Sequence, residues 1–122
     1  MRIKTITAYR IPQPFIHGTY RMSKGRTADG FDSLIVAISA GDGLAGWGEM
    51  DPLGNFYSPA FASGARAGIA ELAPHLIGQD PRALGQINRH MDIVFSGHPY
   101  IKSALDMACC DLAARAPPMF RW

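Results

Sequence analysis

The chain has 122 residues, 48% of them hydrophobic and 18% charged, which is the composition of one globular domain. That length accommodates a core but not an enclosed parallel barrel, which takes about 250 residues. Twelve Lys and Arg against ten Asp and Glu leave a formal charge of +2 with the basic residues scattered, so there is no electrostatic footprint for nucleic acid.

The N-terminus runs into alternating residues without a long apolar segment or a small-residue cleavage site, so neither export nor a membrane partner is expected and the protein is read as cytoplasmic. Residues 3–11 are β-rich and predict a first strand, which Pro12 and Pro14 should end because neither can donate to a ladder. Residues 14–30 carry His17, Gly18, Tyr20, Arg21 and Gly25 with neither period, and read as a long, partly mobile connection. Residues 31–39 and 44–50 predict strands two and three. They are joined by Ala40-Gly41-Asp42-Gly43, whose glycines supply the positive φ of a tight reversal. Three sequential strands make an antiparallel meander.

After residue 57 the period changes from 2 to 3.6. Phe61, Ala65, Ile69, Leu72, Ala73 and Leu76 share one helical face, with Ser58 as N-cap, Pro59 at the first helical position and Gly78 past the end. Asp80-Pro81 repeats the start signal for a helix carrying Leu84, Ile87, Met91, Val94 and Phe95, which Gly97 terminates. Pro99 opens a third helix with Ile101, Ala104, Leu105, Ala108 and Leu112 on its apolar face, ended by Ala116-Pro117-Pro118. Strands followed by segregated helices predict an α+β domain, a three-stranded meander covered on one side by a three-helix bundle.

Little catalytic chemistry is legible. His17, His75, His90 and His98 form no His-x-x-x-His pair and no two share a helical turn, so no metal site is expected. Asp106 and Asp111 lie five apart on the last helix, where side chains diverge, and predict ion pairs or contacts to a neighbouring domain. The glycines of residues 41–48 do not lead from a strand into a helix N-terminus, which excludes a phosphate cradle. Cys109 and Cys110 are adjacent on a helix and read as two reduced thiols, at least one of them packed. Two loops, residues 14–25 and 51–57, hold aromatic and hydrogen-bonding residues at the edge of this scaffold, as binding loops do. Their candidates are Phe15, His17, Tyr20, Met22, Asn55, Phe56 and Tyr57.

Three passages carry a resemblance. Asp42-Gly43-Leu44-Ala45-Gly46-Trp47-Gly48-Glu49, then Leu72-Ala73-Pro74-His75-Leu76-Ile77-Gly78-Gln79-Asp80-Pro81, then Lys102-Ser103-Ala104-Leu105-Asp106-Met107-Ala108 with Asp111-Leu112, resemble the third strand, the helix junction and the signature helix of the mandelate racemase and muconate-lactonizing branch of the enolase superfamily. Residues 52–61 and 97–100 further resemble cis-3-hydroxyproline dehydratases and hydroxyproline-betaine epimerases. The resemblance implies that residues 1–116 are an N-terminal capping domain. In the parent enzymes a modified TIM barrel supplies Mg²⁺ ligands and bases that remove a proton α to the carboxylate of a small substrate. It also implies that His17, Tyr20, Met22, Asn55, Phe56 and Tyr57 belong to specificity loops, and that Asp106 and Asp111 brace the cap against the barrel.

Residues 117–122 do not enter a first barrel strand and read as a truncated or aberrant tail, so no catalytic residue and no Mg²⁺ ligand carries over and the chain is expected to be inactive alone. A homo-oligomer is expected, because an apolar face left bare by an absent barrel favours self-association. Two other readings compete: a muconate cycloisomerase-type parent, and a stand-alone interaction or oligomerisation module.

Overall fold

The computed structural model describes residues 1–41 and 43–117; the predicted tail from residue 118 onward and Asp42 of the reversal lie outside them. β1 (Thr5–Pro14) pairs antiparallel along its whole length with β4 (Gly30–Ser39), and β5 (Ala45–Met50) lines the other edge of β4, giving the order β1-β4-β5. The meander is therefore as the sequence predicts, but Pro12 does not end the first strand, which runs on to Pro14. The Phe15 amide donates to the Asp29 carbonyl at 2.8 Å. In an alternating ladder the odd residues of β1 thus face β4, while Pro12 and Pro14 turn their missing donors to the open edge, where a strand tolerates them.

The stretch between β1 and β4 is also more regular than its composition suggests. β2 (Tyr20–Arg21) and β3 (Thr27–Ala28) form a small antiparallel hairpin around a 3₁₀ turn at Ser23–Gly25. Two-residue strands are too short to carry a period, which is why they are invisible in sequence.

α1 (Ala62–Leu72) starts three residues later than the Ser58 cap predicts. The Ser58 and Tyr57 amides both reach back to the Gly54 carbonyl, at 3.5 and 3.0 Å, so Ser58 belongs to the preceding turn; the first helical bond runs from the Ala65 amide to the Phe61 carbonyl at 2.9 Å. Phe61 sits at the N-cap and stays 42% exposed rather than joining the core. α1 tightens into a 3₁₀ turn, Ala73–Leu76, where Pro74 cannot extend the α ladder. Asp80-Pro81 likewise forms a turn ahead of α2 (Leu84–Val94): the Asp80 carboxylate accepts from the Arg82 amide at 3.0 Å and from its guanidinium at 2.6 Å, which lowers its pKa to about 2. α3 (Pro99–Arg115) follows the prediction.

One cluster forms the core. Leu34, Val36, Ile38 and Met50 from the sheet meet Ala65, Ile69 and Leu72 of α1, Ile87 and Met91 of α2, and Ile101, Ala104, Leu105, Ala108, Cys109 and Leu112 of α3. Because the helices cover one face of the sheet, the domain is α+β with two layers. α3 lies directly on the backbone of β5: a Cβ at Gly46 would stand 2.1 Å from the Ala108 carbonyl oxygen, and one at Gly48 would stand 2.0 Å from that of Ala104. The Trp47 amide between them donates to the Asp111 carboxylate at 2.9 Å. Asp32 ties β4 to β1 and α1 through Arg10 (2.7 Å) and Arg66 (3.0 Å), and the Arg10 hydrogen bond holds its carboxyl below the usual range.

Burial, followed by the nearby Asp106 charge, pushes the Cys109 thiol up to about 12, while Cys110 is exposed. Alkylation with iodoacetamide at pH 8 is expected to label Cys110 in the native chain and Cys109 only after unfolding, because the thiolate is the reactive species. Mass spectrometry of the native chain showing two adducts formed at equal rates would contradict this.

Candidate functional site

The antiparallel register brings both candidate loops to one end of the sheet, since β1 ends, β4 begins and β5 ends there. Beneath them lies a polar hub. Ser33, fully buried, donates to the Asp51 carboxylate in a short hydrogen bond and accepts from the Gln13 amide at 2.8 Å; that amide also reaches Glu49 at 2.8 Å. All three strands are thus tied where the loops leave them. A buried hydroxyl with both partners present holds its neighbours in place, because leaving either unpaired carries a desolvation cost.

Between the loops runs an open groove of about 800 Å³, with Phe15, His17, Tyr20 and Phe31 on one wall and Leu53 and Tyr57 on the other. The Phe15 and Phe31 rings meet edge to face at 5.1 Å, and the Thr19 hydroxyl donates to Asp29 at 2.5 Å, which shapes the first wall. The lining is aromatic and apolar with hydroxyl and imidazole groups interspersed, the make-up of a site that orients a small ligand. It contains no pairing of nucleophile and base.

Of the sequence-predicted residues, Phe15, His17, Tyr20 and Tyr57 come together in this groove. Met22, Asn55 and Phe56 do not line it. Met22 closes the hairpin tip through its amide to the Arg26 carbonyl at 2.8 Å, Asn55 is exposed in the turn above Gly54, and Phe56 meets Arg26. Asp106 accepts from Asn88 at 2.6 Å, tying α3 to α2, and Asp111 is held by Trp47 and, at 3.0 Å, by Arg115. Both carboxylates are therefore engaged inside the domain. Gln13, Phe31, Ser33 and Leu53 went unnoticed in sequence because nothing local distinguishes them; only strand pairing sets them at one end.

His75 and His90, remote in sequence, approach to 6.2 Å between ring centroids, because the 3₁₀ turn packs beside α2. Among the described residues, however, no three His, Cys, Asp or Glu side chains gather closely enough to hold a metal ion. The donors among the described residues thus do not fit Mg²⁺. No helix among the described residues is long and apolar enough to cross a membrane.

Comparison with known proteins agrees with this architecture. Residues 5–119 match the family model for the mandelate racemase / muconate lactonizing enzyme N-terminal domain. The chain is 46% identical over 116 residues to a cis-3-hydroxy-L-proline dehydratase of Roseibium aggregatum, covering 95% of this chain and 32% of that protein. Among solved structures, a member of the enolase superfamily from Roseovarius nubinhibens, complexed with magnesium, superposes with a TM-score of 0.84 at 42% identity over 93% of this chain and 30% of that one. The N-succinyl Arg/Lys racemase of Bacillus cereus superposes with a TM-score of 0.82 at 29% identity, covering 92% and 30%. The chain thus spans about a third of the length of such relatives. With the same meander, the same helices and a family match over nearly its whole length, this chain belongs to the mandelate racemase / muconate lactonizing enzyme N-terminal domain family of the enolase superfamily.

Proposed function

We propose that this domain caps the active site of a Mg²⁺-dependent enolase-superfamily enzyme that abstracts a proton α to a carboxylate, with a proline derivative as substrate. The observation that carries the reading is the groove, in which two loops from one end of the sheet set His17, Tyr20 and Tyr57 around a space of about 800 Å³. The 46% identity to a cis-3-hydroxy-L-proline dehydratase supports the substrate class. In this reading His17, Tyr20 and Tyr57 contact substrate, Met22, Asn55 and Phe56 shape the loops, and Asp106 and Asp111 stiffen the helix that braces the cap against a barrel. The acid, base and metal ligands belong to that barrel, and the domain alone turns over nothing.

Split-enzyme complementation tests it. The C-terminal remainder of the Roseibium aggregatum dehydratase, lacking its own matching domain, is mixed with this chain and Mg²⁺, and loss of cis-3-hydroxy-L-proline is followed by NMR. The expected result is no turnover by either half and measurable turnover by the mixture. Turnover by this chain alone sinks the claim of inactivity. Rescue by the dehydratase's own N-terminal domain but not by this one rejects the substrate class.

A further inference from the structure

Arg26 has no obvious reason, in sequence, to matter. The structure places it at the tip of the β2–β3 hairpin, in a turn that needs Lys24 at φ 61 and Gly25 at φ 70. The Met22 amide donates to the Arg26 carbonyl at 2.8 Å and closes that turn. From there the guanidinium crosses to the other loop: its Nη1 donates to the Phe56 carbonyl at 3.0 Å, and its central carbon stands 5.8 Å from the centre of the Phe56 ring. The ring is also seated on its own loop. Gly54 has φ 144, and a Cβ there would lie 2.6 Å from Phe56 Cε1, so the ring packs onto bare backbone.

Arg26 takes part in none of the ion pairs among the described residues; a main-chain carbonyl and an aromatic face are its partners. Such a contact is directional but breakable, since a cation over a ring and a hydrogen bond to a neutral carbonyl are each modest at an exposed site. It also has leverage. Leu53 and Tyr57, which form one groove wall, flank the Gly54–Phe56 seat on either side in the chain. Tyr57 is fixed to that seat by its amide bond to the Gly54 carbonyl at 3.0 Å.

We propose that Arg26 and Phe56 form a latch between the two loops and set the spacing of the groove walls, Arg26 acting as a positioning residue for the ligand rather than a contact. Its functional meaning rests on the capping role proposed above; its physical claim does not.

The latch is tested by amide hydrogen exchange on the 122-residue chain and its variants. In Arg26→Ala, the Tyr57 and Ser58 amides are expected to exchange roughly 5- to 70-fold faster, the factor that losing one exposed cation–π contact and one hydrogen bond corresponds to. The Phe15 amide, bonded to Asp29, is expected to keep its rate. Arg26→Lys, which retains the charge and loses the planar fork, is expected to fall between. Phe56→Leu added to Arg26→Ala should accelerate exchange less than the two single effects combined, as coupled partners do. In the split enzyme, Arg26→Ala should raise KM while kcat changes little. Rates at Tyr57 and Ser58 within twofold of wild type in Arg26→Ala overturn the proposal. So does unprotected exchange of those amides in the wild-type chain, or an equal acceleration throughout the β1–β4 ladder. If exchange responds while complementation fails, the latch stands and the capping role falls.

Discussion

Gly48→Ala is expected to destabilise the domain by about 3 kcal/mol, at the upper end of what inserting one carbon into a packed core costs. The added Cβ would stand 2.0 Å from the Ala104 carbonyl oxygen and 3.0 Å from both the Ala104 carbonyl carbon and the Ala108 nitrogen. All three are backbone atoms of a 17-residue helix, so no side chain can rotate away and α3 itself must lift from the sheet. Against a total stability of roughly 5 to 15 kcal/mol, that loss is large. Urea unfolding followed by far-UV circular dichroism should show the midpoint falling by about 1 to 3 M. Gly85→Ala is the control, because a Cβ there meets nothing within 4 Å and lies in α2. It is expected to be neutral or stabilising by up to about 1 kcal/mol. Equal effects from the two substitutions would show that α3 does not rest on the β5 backbone.

Leu105→Ala is expected to cost about 2 to 5 kcal/mol. Leu105 is fully buried on α3 in the single cluster that joins the sheet to all three helices. Truncation removes apolar contacts and leaves a void inside that cluster. The measured midpoint should fall without a change of slope, since the surface exposed on unfolding is the same. A loss under about 1 kcal/mol would indicate that α3 repacks easily, which the close seating at Gly46 and Gly48 argues against.

These two effects bear on the groove because α3 is the platform under its far wall. Asp111 holds the Trp47 amide on β5, β5 leads into residues 51–57, and Ser33 fastens Asp51 at their start. A shift of α3 is therefore passed along covalently continuous chain to Leu53 and Tyr57. The glycines of the third-strand motif act through packing: they let a helix approach the backbone closely enough to fix where the loop begins.

Much of the architecture was legible in the residues themselves. The β-rich run of β4, the Gly-rich reversal into β5 and the 3.6-residue period of α2 and α3 are local properties, so the order of the three meander strands, the three α-helices and the α+β class followed from the sequence alone. The core face of α3 was readable for the same reason, since Ile101, Ala104, Leu105, Ala108 and Leu112 repeat at helical spacing. Local signals also misled at particular points. Ser58-Pro59 has the composition of a helix start, yet the Gly54 carbonyl claims the Ser58 amide first. Pro12 and Pro14 look like strand breakers until pairing shows that β1 is an edge.

The candidate site divides along the same line. That two aromatic loops matter could be read from their composition, and His17, Tyr20 and Tyr57 do meet across one groove. Which aromatics face the groove and which serve as fasteners could not be read, because Phe56 differs from Tyr57 only in what stands opposite it, and Arg26 lies thirty residues away in the chain. The sequence by itself determined the three long strands, the three α-helices, their order and the family, because propensity and periodicity act over a few residues. Only the tertiary structure decided the Ser33 hub, the seating of α3 on Gly46 and Gly48, and the Arg26–Phe56 crossing. Each of these joins residues brought together by strand register and helix packing, and no local rule records such contacts.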